Sequence, residues 1–194
     1  MGVTVETRLK SGDALIVVDV QRDFLPGGRL AVPAGDAVVP LLNAWIDRFA
    51  AAGRPIFATR DWHPPDHCSF DTQGGPWPLH CVIDTPGAEF ASGLSLPAGT
   101  VIVSKGTRPD DLGYSEFDET GLHRQLQALG VRRVFVGGLA TDYCVLNTVL
   151  DARRLGYEVV LLTDCIRAVD CQPGDGERAI SRMLAAGAVA LGGS

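Results

Sequence analysis

Short runs of apolar residues alternate with amphipathic helical patterns along most of the chain. The first run, 14–20, is apolar except for Asp19 near its carboxyl end, which is typical of a central parallel strand buried on both faces. Further strands are predicted at 55–59, 100–104, 132–138, 157–163 and 188–191. Apolar residues at helical spacing predict helices between them, at 36–53, 118–130, 142–156 and 173–187.

This alternation predicts a three-layer α/β/α fold with a six-stranded, mostly parallel, Rossmann-like sheet. Residues 1–194 are expected to form a single domain, because this length suits one compact unit. In such sheets, ligands bind beyond the carboxyl ends of the strands. Polar side chains at or just after the ends of the first four strands should therefore meet at one rim: Asp19, Asp61, Lys105 and Cys144.

Composition and charge narrow the classes of function. The net charge is -6 without a basic cluster, which argues against nucleic acid or an anionic membrane as a partner. The apolar runs are too short to span a bilayer, and residues 1–11 lack the apolar segment of a signal peptide. The five cysteines are scattered and form no C-x-x-C pair, so we expect a reduced, cytoplasmic protein.

Residues 137–145 contain the strongest candidate for a nucleophile. A double glycine ends the fourth predicted strand, and a helical pattern begins at once, with Thr141 or Asp142 as its expected cap. Cys144 then falls in the first helical turn, where free N–H groups and the helix dipole favour a thiolate. A lone cysteine in such a place is nevertheless more often a buried packing residue.

Asp19 and Lys105 change the interpretation of Cys144. Taken alone, they are equally consistent with a structural ion pair at the edge of the sheet. Beside a cysteine, the carboxylate can accept the thiol proton, and the lysine can hold that carboxylate ionised and oriented. N–H groups at the start of the helix can then bind the oxyanion of a tetrahedral intermediate.

The long segment 61–98, between the second and third strands, carries a second group of polar residues. A loop of this length inside a compact domain usually has a function. It contains Asp61, His63, His67 and His80 beside two tryptophans. Carboxylate and imidazole ligands suit a divalent ion with open positions for water or substrate, and zinc, iron and manganese are all compatible with them.

Five motifs occur in a characteristic order along the chain. They are D-x-Q-x-D-F at 19–24, T-R-D-W-H-P at 59–64, W-P-x-H-C at 77–81 with T-x-G-A at 85–88, x-K-G at 104–106, and A-T-D-Y-C-V at 140–145. Over residues 14–191 the sequence resembles the nicotinamidase/pyrazinamidase family of the isochorismatase-like cysteine hydrolases. The resemblance implies the isochorismatase-like hydrolase fold and a metal-assisted amidase of NAD salvage that converts nicotinamide to nicotinate and ammonia, and pyrazinamide as well.

The resemblance also implies roles for the catalytic residues. Cys144 would be the nucleophile, Asp19 the general acid and base, and Lys105 its partner. A non-proline cis peptide bond would join Leu139 to Ala140. The backbone N–H groups of Ala140 and Cys144 would form the oxyanion hole.

For the metal and the substrate, the resemblance implies two further sets of residues. One divalent ion, with zinc as the first choice and iron or manganese as alternatives, would be bound by Asp61, His63 and His80. His67 ranks below these three as a further ligand. The substrate ring would lie against Phe24, Trp77 and Tyr114. Residues 107–113 are longer than the compact version of this segment in the family, which leaves the position of Tyr114 and the covering of the pocket open.

Two other functions are compatible with parts of the sequence. A related cysteine amidase acting on an N-carbamoyl or ureido compound would use the same nucleophile, although the metal set favours nicotinamidase. A Rossmann-like dinucleotide-binding module shares the strand pattern, but no G-x-G-x-x-G follows the first strand. The oligomeric state is open, and a homo-oligomer is compatible with the sequence. No role is assigned to the other cysteines: Cys68, Cys81, Cys165 and Cys171.

Overall fold

The computed structural model describes residues 8–192. Residues 1–7, which make up most of the segment considered for a signal peptide, and residues 193–194 lie outside the described residues, so a single domain over 1–194 stays a prediction. The strands are β1 (Asp13–Val18), β2 (Ile56–Asp61), β3 (Val101–Lys105), β4 (Arg133–Leu139), β5 (Glu158–Arg167) and β6 (Val189–Leu191). The helices are α1 (Val38–Ala51), α2 (Leu122–Ala128), α3 (Leu146–Arg154) and α4 (Asp175–Ala185). Between residues 8 and 192, no helix has both the length and the apolar character needed to cross a membrane.

The strands form one sheet in the order β3-β2-β1-β4-β5-β6, and every neighbouring pair is parallel. Every residue of β1 is buried, as its continuous apolar run predicts for a central strand. At the carboxyl ends, Val18 of β1 pairs with Gly138 of β4, and Asp61 of β2 pairs with Lys105 of β3. The predicted α/β fold is confirmed, and this register brings four strand ends to one rim.

Alternate residues of β1 face opposite sides of the sheet, so two hydrophobic cores flank it. Ile16 lies in one core with Val149 of α3 and Met183 of α4, and α2 contributes to the same core. Leu15 lies in the other core with Leu42 of α1. The sheet is therefore the middle of three layers, as the sequence pattern predicts.

Several element boundaries differ from the predicted ones. The strand predicted to end at residue 59 continues to Asp61, because that residue still pairs with Lys105 across β2 and β3. β5 extends to Arg167, beyond a shift in its register with β4 between Val136 and Gly138. These extensions carry the strands further toward the rim where the polar residues meet.

The predicted helix cap after β4 is wrong. A π-helical turn, Thr141–Val145, connects β4 to α3, and no side chain caps its first residues. The carboxylate of Asp142 instead accepts the backbone N–H groups of Val169 and Asp170, at 2.9 and 2.8 Å. Asp142 thus ties the segment after β5 to the rim of the sheet, a tertiary contact that local spacing does not reveal.

Gly138 of β4 lies tightly against β1. Its φ is +134°, and a Cβ at this position would lie 2.0 Å from the carbonyl oxygen of Val18. Only glycine permits this contact, because any other side chain would overlap a main-chain atom that cannot rotate away. The second glycine of the pair therefore holds the end of β4 against the end of β1.

We predict that Gly138→Ala destabilises the protein more than Gly156→Ala. Gly156 also has a positive φ, +89°, but nothing lies within 4 Å of a Cβ added there. Placing alanine in left-handed backbone costs about 1–2 kcal/mol at either site. The overlap with Val18 should add about 1–3 kcal/mol at Gly138. Urea unfolding measures both variants, and equal losses would contradict the tight contact between the strands.

Candidate active site

Lys105 lies at the centre of a buried cluster at the carboxyl ends of β1, β2 and β3. Its Nζ is 2.8 Å from Asp19 Oδ2, pairs with Asp61 Oδ1, and is 3.4 Å from Cys144 Sγ. Burial alone would lower the pKa of Lys105, but Asp19 and then Asp61 outweigh it and raise the pKa well above its usual value. Lys105 is therefore an ammonium group, and the four rim residues meet as the fold predicts.

Asp19 is held rigidly in a position suited to proton transfer. It follows β1 with a left-handed φ of 48°, an unfavourable conformation for a residue with a side chain. The Thr59 hydroxyl donates to its Oδ1 at 2.8 Å, and Lys105 lies against its Oδ2. Burial raises the pKa of Asp19, and Lys105 opposes that rise. A buried carboxylate with a raised pKa is a stronger proton acceptor than one in water.

Cys144 is a buried thiol in the resting protein. Burial raises its pKa well above the usual value, and Lys105 acts in the opposite direction but does not outweigh burial. The expectation that the helix start would favour a thiolate is therefore wrong, because desolvation exceeds the effect of the nearby positive charges. The sulfur needs a base to remove its proton, and the ammonium 3.4 Å away can stabilise the anion once it forms.

Asp61, His63 and His80 form a buried set that can hold a metal ion. One ligand atom from each lies within 4.8 Å of the others. The Nδ1 atoms of His63 and His80 are hydrogen-bonded to the carbonyls of Gly106 and Pro78, at 2.9 and 2.8 Å. Their Nε2 atoms face Asp61 Oδ2, at 3.5 and 4.0 Å. Rings that donate through Nδ1 present the free Nε2 lone pair that a divalent ion requires.

The charge state of these ligands also suits a cation. Burial would raise the pKa of Asp61, but Lys105 and then His63 outweigh it and hold the pKa well below its usual value. Burial lowers the pKa of His80, which favours its neutral ring. A carboxylate beside a neutral imidazole is in the form that binds a metal ion without first losing a proton.

Gln21 fixes the backbone of Asp61. Its Nε2 donates to the carbonyls of Asp61 and Ala88, at 2.7 and 2.9 Å, and its Oε1 accepts the N–H of Asp61 at 2.8 Å. The sequence motif contains Gln21, but its function as a clamp was not predicted from the sequence. It positions the carboxylate that both Lys105 and the candidate ion site use.

His67 lies next to the candidate ion site but outside its ligand set. Its Nδ1 is 2.7 Å from Ser69 Oγ, and its Nε2 is 2.6 Å from the carbonyl of Asp111. The ring stacks on His63, with centroids 3.9 Å apart. Because both nitrogens already have protein partners, His67 supports the His63 ring and anchors the 107–113 segment.

A cavity opens beside Cys144. The three predicted substrate residues, Phe24, Trp77 and Tyr114, line it, and the indole N–H of Trp77 donates to the Tyr114 hydroxyl at 2.9 Å. Sequence reasoning missed several lining residues, most of which come from separate loops: Leu30, Val32, Tyr143 and Val169. Among the described residues that line the cavity, none is a lysine or an arginine.

The floor of the cavity contains the turn between β4 and α3. The Leu139–Ala140 peptide bond is cis and does not precede proline, as the resemblance implies. Ala140 lines the cavity together with Cys144, Asp61 and His80. The nucleophile and part of the candidate ion site therefore face one space, and the oxyanion role of the Ala140 and Cys144 N–H groups stays a prediction.

The chain is similar to known proteins over most of its length. Residues 13–192 match the family described as "Isochorismatase domain". The chain is 41% identical over 197 residues to the nicotinamidase of Escherichia coli, covering 90% of this chain and 92% of that protein. It is 49% identical to the pyrazinamidase of Pyrococcus horikoshii solved in complex with zinc, with a TM-score of 0.90 and coverage of 94% and 99%. It is 39% identical to PnC1 of L. infantum solved in complex with nicotinate, with a TM-score of 0.87 and coverage of 99% and 96%.

We predict that Gln21→Ala weakens the binding of a divalent ion by about 10–100-fold, the usual effect of losing a group that orients a metal ligand. Without the clamp, the backbone of Asp61 is no longer fixed. Asn43→Ala is the matched control, because the Asn43 amide also bridges loop backbone, at Gly93 and Ser95, but at an exposed position outside the candidate ion site. Titration of zinc against a competing chelator measures both variants. Equal affinity in the wild type and Gln21→Ala would contradict the role of the clamp.

Proposed function

Because the chain belongs to the isochorismatase family, we propose that it hydrolyses nicotinamide to nicotinate and ammonia, a step of NAD salvage, and pyrazinamide as well. One observation carries this proposal. The ammonium of Lys105 joins Asp19 to Cys144 in a buried cluster at the wall of an aromatic-lined cavity. The similarity to nicotinamidases and to a pyrazinamidase supports the choice of substrate.

The first half of the reaction releases ammonia. Asp19 accepts the thiol proton of Cys144, and the sulfur attacks the carboxamide carbon of the substrate. Lys105 stabilises the developing thiolate, and the backbone N–H groups of Ala140 and Cys144 bind the oxyanion. Asp19 gives the proton to the nitrogen as the carbon–nitrogen bond breaks. Ammonia leaves, and a thioester joins the acyl group to Cys144.

The second half of the reaction uses water. Asp19 accepts one proton from a water molecule while the oxygen of that water attacks the thioester carbon. The carbon–sulfur bond breaks, and Asp19 returns the proton to the sulfur of Cys144. The sum of both halves is amide plus water giving carboxylic acid plus ammonia, and the enzyme is restored.

We assign one divalent ion to Asp61, His63 and His80, and we propose zinc because two imidazoles and one carboxylate suit this ion. The similar pyrazinamidase of Pyrococcus horikoshii was solved in complex with zinc. When bound, the ion supplies a positive centre to which a ring nitrogen of the substrate can be oriented. The carbonyls of Gly106 and Pro78 hold the two imidazoles in the tautomer that this ligation needs.

The charges around the cavity disfavour the second candidate, an amidase for N-carbamoyl or ureido acids. Such a substrate carries a carboxylate, and the described lining residues include no lysine or arginine to pair with it. An uncharged heteroaromatic amide avoids this cost and can place its ring against Phe24 and Trp77, which favours nicotinamide.

We predict that Cys144→Ala lowers the rate of nicotinamide hydrolysis by at least about a thousandfold, since loss of a nucleophile removes the covalent pathway. Cys165→Ala is the matched control, because Cys165 is also a buried cysteine but does not line the cavity. Release of ammonia from nicotinamide, pyrazinamide and an N-carbamoyl amino acid, assayed side by side, measures the effect. Activity of Cys144→Ala near that of the wild type would rule out the nucleophile assignment.

We predict that removal of metal by a chelator lowers kcat/KM for nicotinamide and that zinc restores it. Magnesium should restore it much less, because that ion prefers oxygen ligands and the site offers two imidazoles. The comparison uses chelated protein dialysed against each ion, with metal content measured in parallel. Full activity in protein shown to be free of metal would contradict this role and favour a metal-independent amidase.

A further inference from the structure

Glu116 is a buried carboxyl group that the proposed reaction does not use. It lies in the segment between β3 and α2 and is 0% exposed. Its Oε1 is 3.9 Å from Lys105 Nζ. Across residues 8–192, neither of its carboxyl oxygens has a hydrogen-bond partner of normal geometry. The Thr59 hydroxyl is near enough to lower the pKa of Glu116, but it donates to Asp19 Oδ1. The backbone N–H of Glu116 donates to Thr148 Oγ1 at 3.2 Å, so the residue is fixed through its main chain.

An unpartnered acid in this position weakens the fold. Burying a polar group without a partner is unfavourable, and an apolar side chain of similar size would avoid the loss. Burial, and then Asp19, raise the pKa of Glu116 well above its usual value, whereas Lys105 lowers it. Burial and the charge of Asp19 therefore favour its neutral form. Because this carboxyl does not stabilise the fold, we looked for a role of Glu116 in the reaction.

The hydrogen-bonding capacity of Lys105 suggests that role. An ammonium group has three N–H donors. Three groups lie closest to it: Asp61 Oδ1 and Cys144 Sγ accept hydrogen bonds from Nζ, and Asp19 Oδ2 forms an ion pair with it at 2.8 Å. Glu116 Oε1 is the next acceptor, at 3.9 Å, and has no donor left in the resting protein.

Acylation of Cys144 changes the set of acceptors around the Lys105 ammonium group. The thiolate that forms in the first half of the reaction accepts a hydrogen bond from the ammonium well, whereas the thioester sulfur that replaces it has no negative charge and accepts poorly. One N–H of Lys105 then loses its partner inside a buried site, where an unpaired donor on a charged group is costly. Glu116 Oε1, 3.9 Å from Lys105 Nζ, is an acceptor that can take this N–H.

We propose that Glu116 is a positioning residue that acts through Lys105 in the second half of the reaction, by accepting the N–H that the acylated sulfur of Cys144 releases. This inference rests on the proposed amidase function. The new hydrogen bond keeps the ammonium beside Asp19 while Asp19 takes the proton from water. Glu116 forms no bond to the substrate and gains or loses no proton in this step.

The test separates the two halves of the reaction in Glu116→Met and Glu116→Gln. Rapid-quench measurements with nicotinamide follow ammonia and nicotinate, and intact mass spectrometry detects the acyl-enzyme. Glu116→Met has no acceptor oxygen, so hydrolysis of the thioester should slow by about tenfold or more, the effect of losing one hydrogen bond to a charged group. Release of ammonia in the first turnover should stay within about twofold, because the Cys144 thiolate itself accepts a hydrogen bond from Lys105 at that stage. Glu116→Gln retains an oxygen acceptor and should restore the wild-type rate.

Two further variants control for folding and for loosening of the segment. Thr148→Val removes the contact to the Glu116 backbone but leaves its carboxyl, and should keep the wild-type ratio of the two rates. Glu116→Asp withdraws the carboxyl from Lys105 and should slow thioester hydrolysis, which provides the test if Glu116→Met does not fold. In urea, Glu116→Met should unfold at the wild-type concentration or above it.

The inference is overturned if Glu116→Met slows both halves equally, if it leaves thioester hydrolysis unchanged, or if Glu116→Gln fails to restore the rate. These outcomes are distinct from failure of the proposed function. In that case the wild-type protein itself would release no ammonia from nicotinamide.

Discussion

A single buried ammonium group connects the carboxyl ends of three strands. Lys105 pairs with Asp19, which follows β1, and with Asp61, the last residue of β2. Buried charges are tolerated only when they are paired, and removing one partner typically costs about 3–5 kcal/mol. Without Lys105, two buried carboxylates would be left to repel each other.

This shared counter-ion also links the two halves of the candidate site. Asp19 is the proposed proton acceptor, and Asp61 is a proposed metal ligand. Because Lys105 affects the pKa of both carboxyl groups, a change at either one alters the electrostatic environment of the other. Gln21 and Thr59 hold the two carboxylates at fixed positions around the ammonium. The geometry of the nucleophile and that of the candidate ion site are therefore set together.

Much of the fold and the centre of the site could be predicted because their signals are local. A continuous apolar run marks a central strand, and parallel strands end at one rim, so Asp19, Lys105 and Cys144 could be brought together from their sequence positions alone.

The remaining features depend on tertiary packing. Asp142 has the residue type of a helix cap but binds a distant loop, and Glu116 is a polar residue in a loop that happens to be buried. The protonation of Cys144 was likewise predicted wrongly, because desolvation depends on the depth of burial, which local sequence does not reveal.

The aromatic wall of the cavity has a consequence for the survival of the thiol between turnovers. Oxidation of cysteine begins with the thiolate, and Cys144 rests as a neutral thiol that is 6% exposed. The hydrogen bond between Trp77 and Tyr114 fixes two side chains that line the same cavity. Peroxide therefore meets a poorly reactive form of the sulfur, and bulky electrophiles are kept away by the residues that receive the substrate ring. The exposed thiol of Cys171 lacks this protection, so oxidative damage should accumulate there before it reaches the nucleophile.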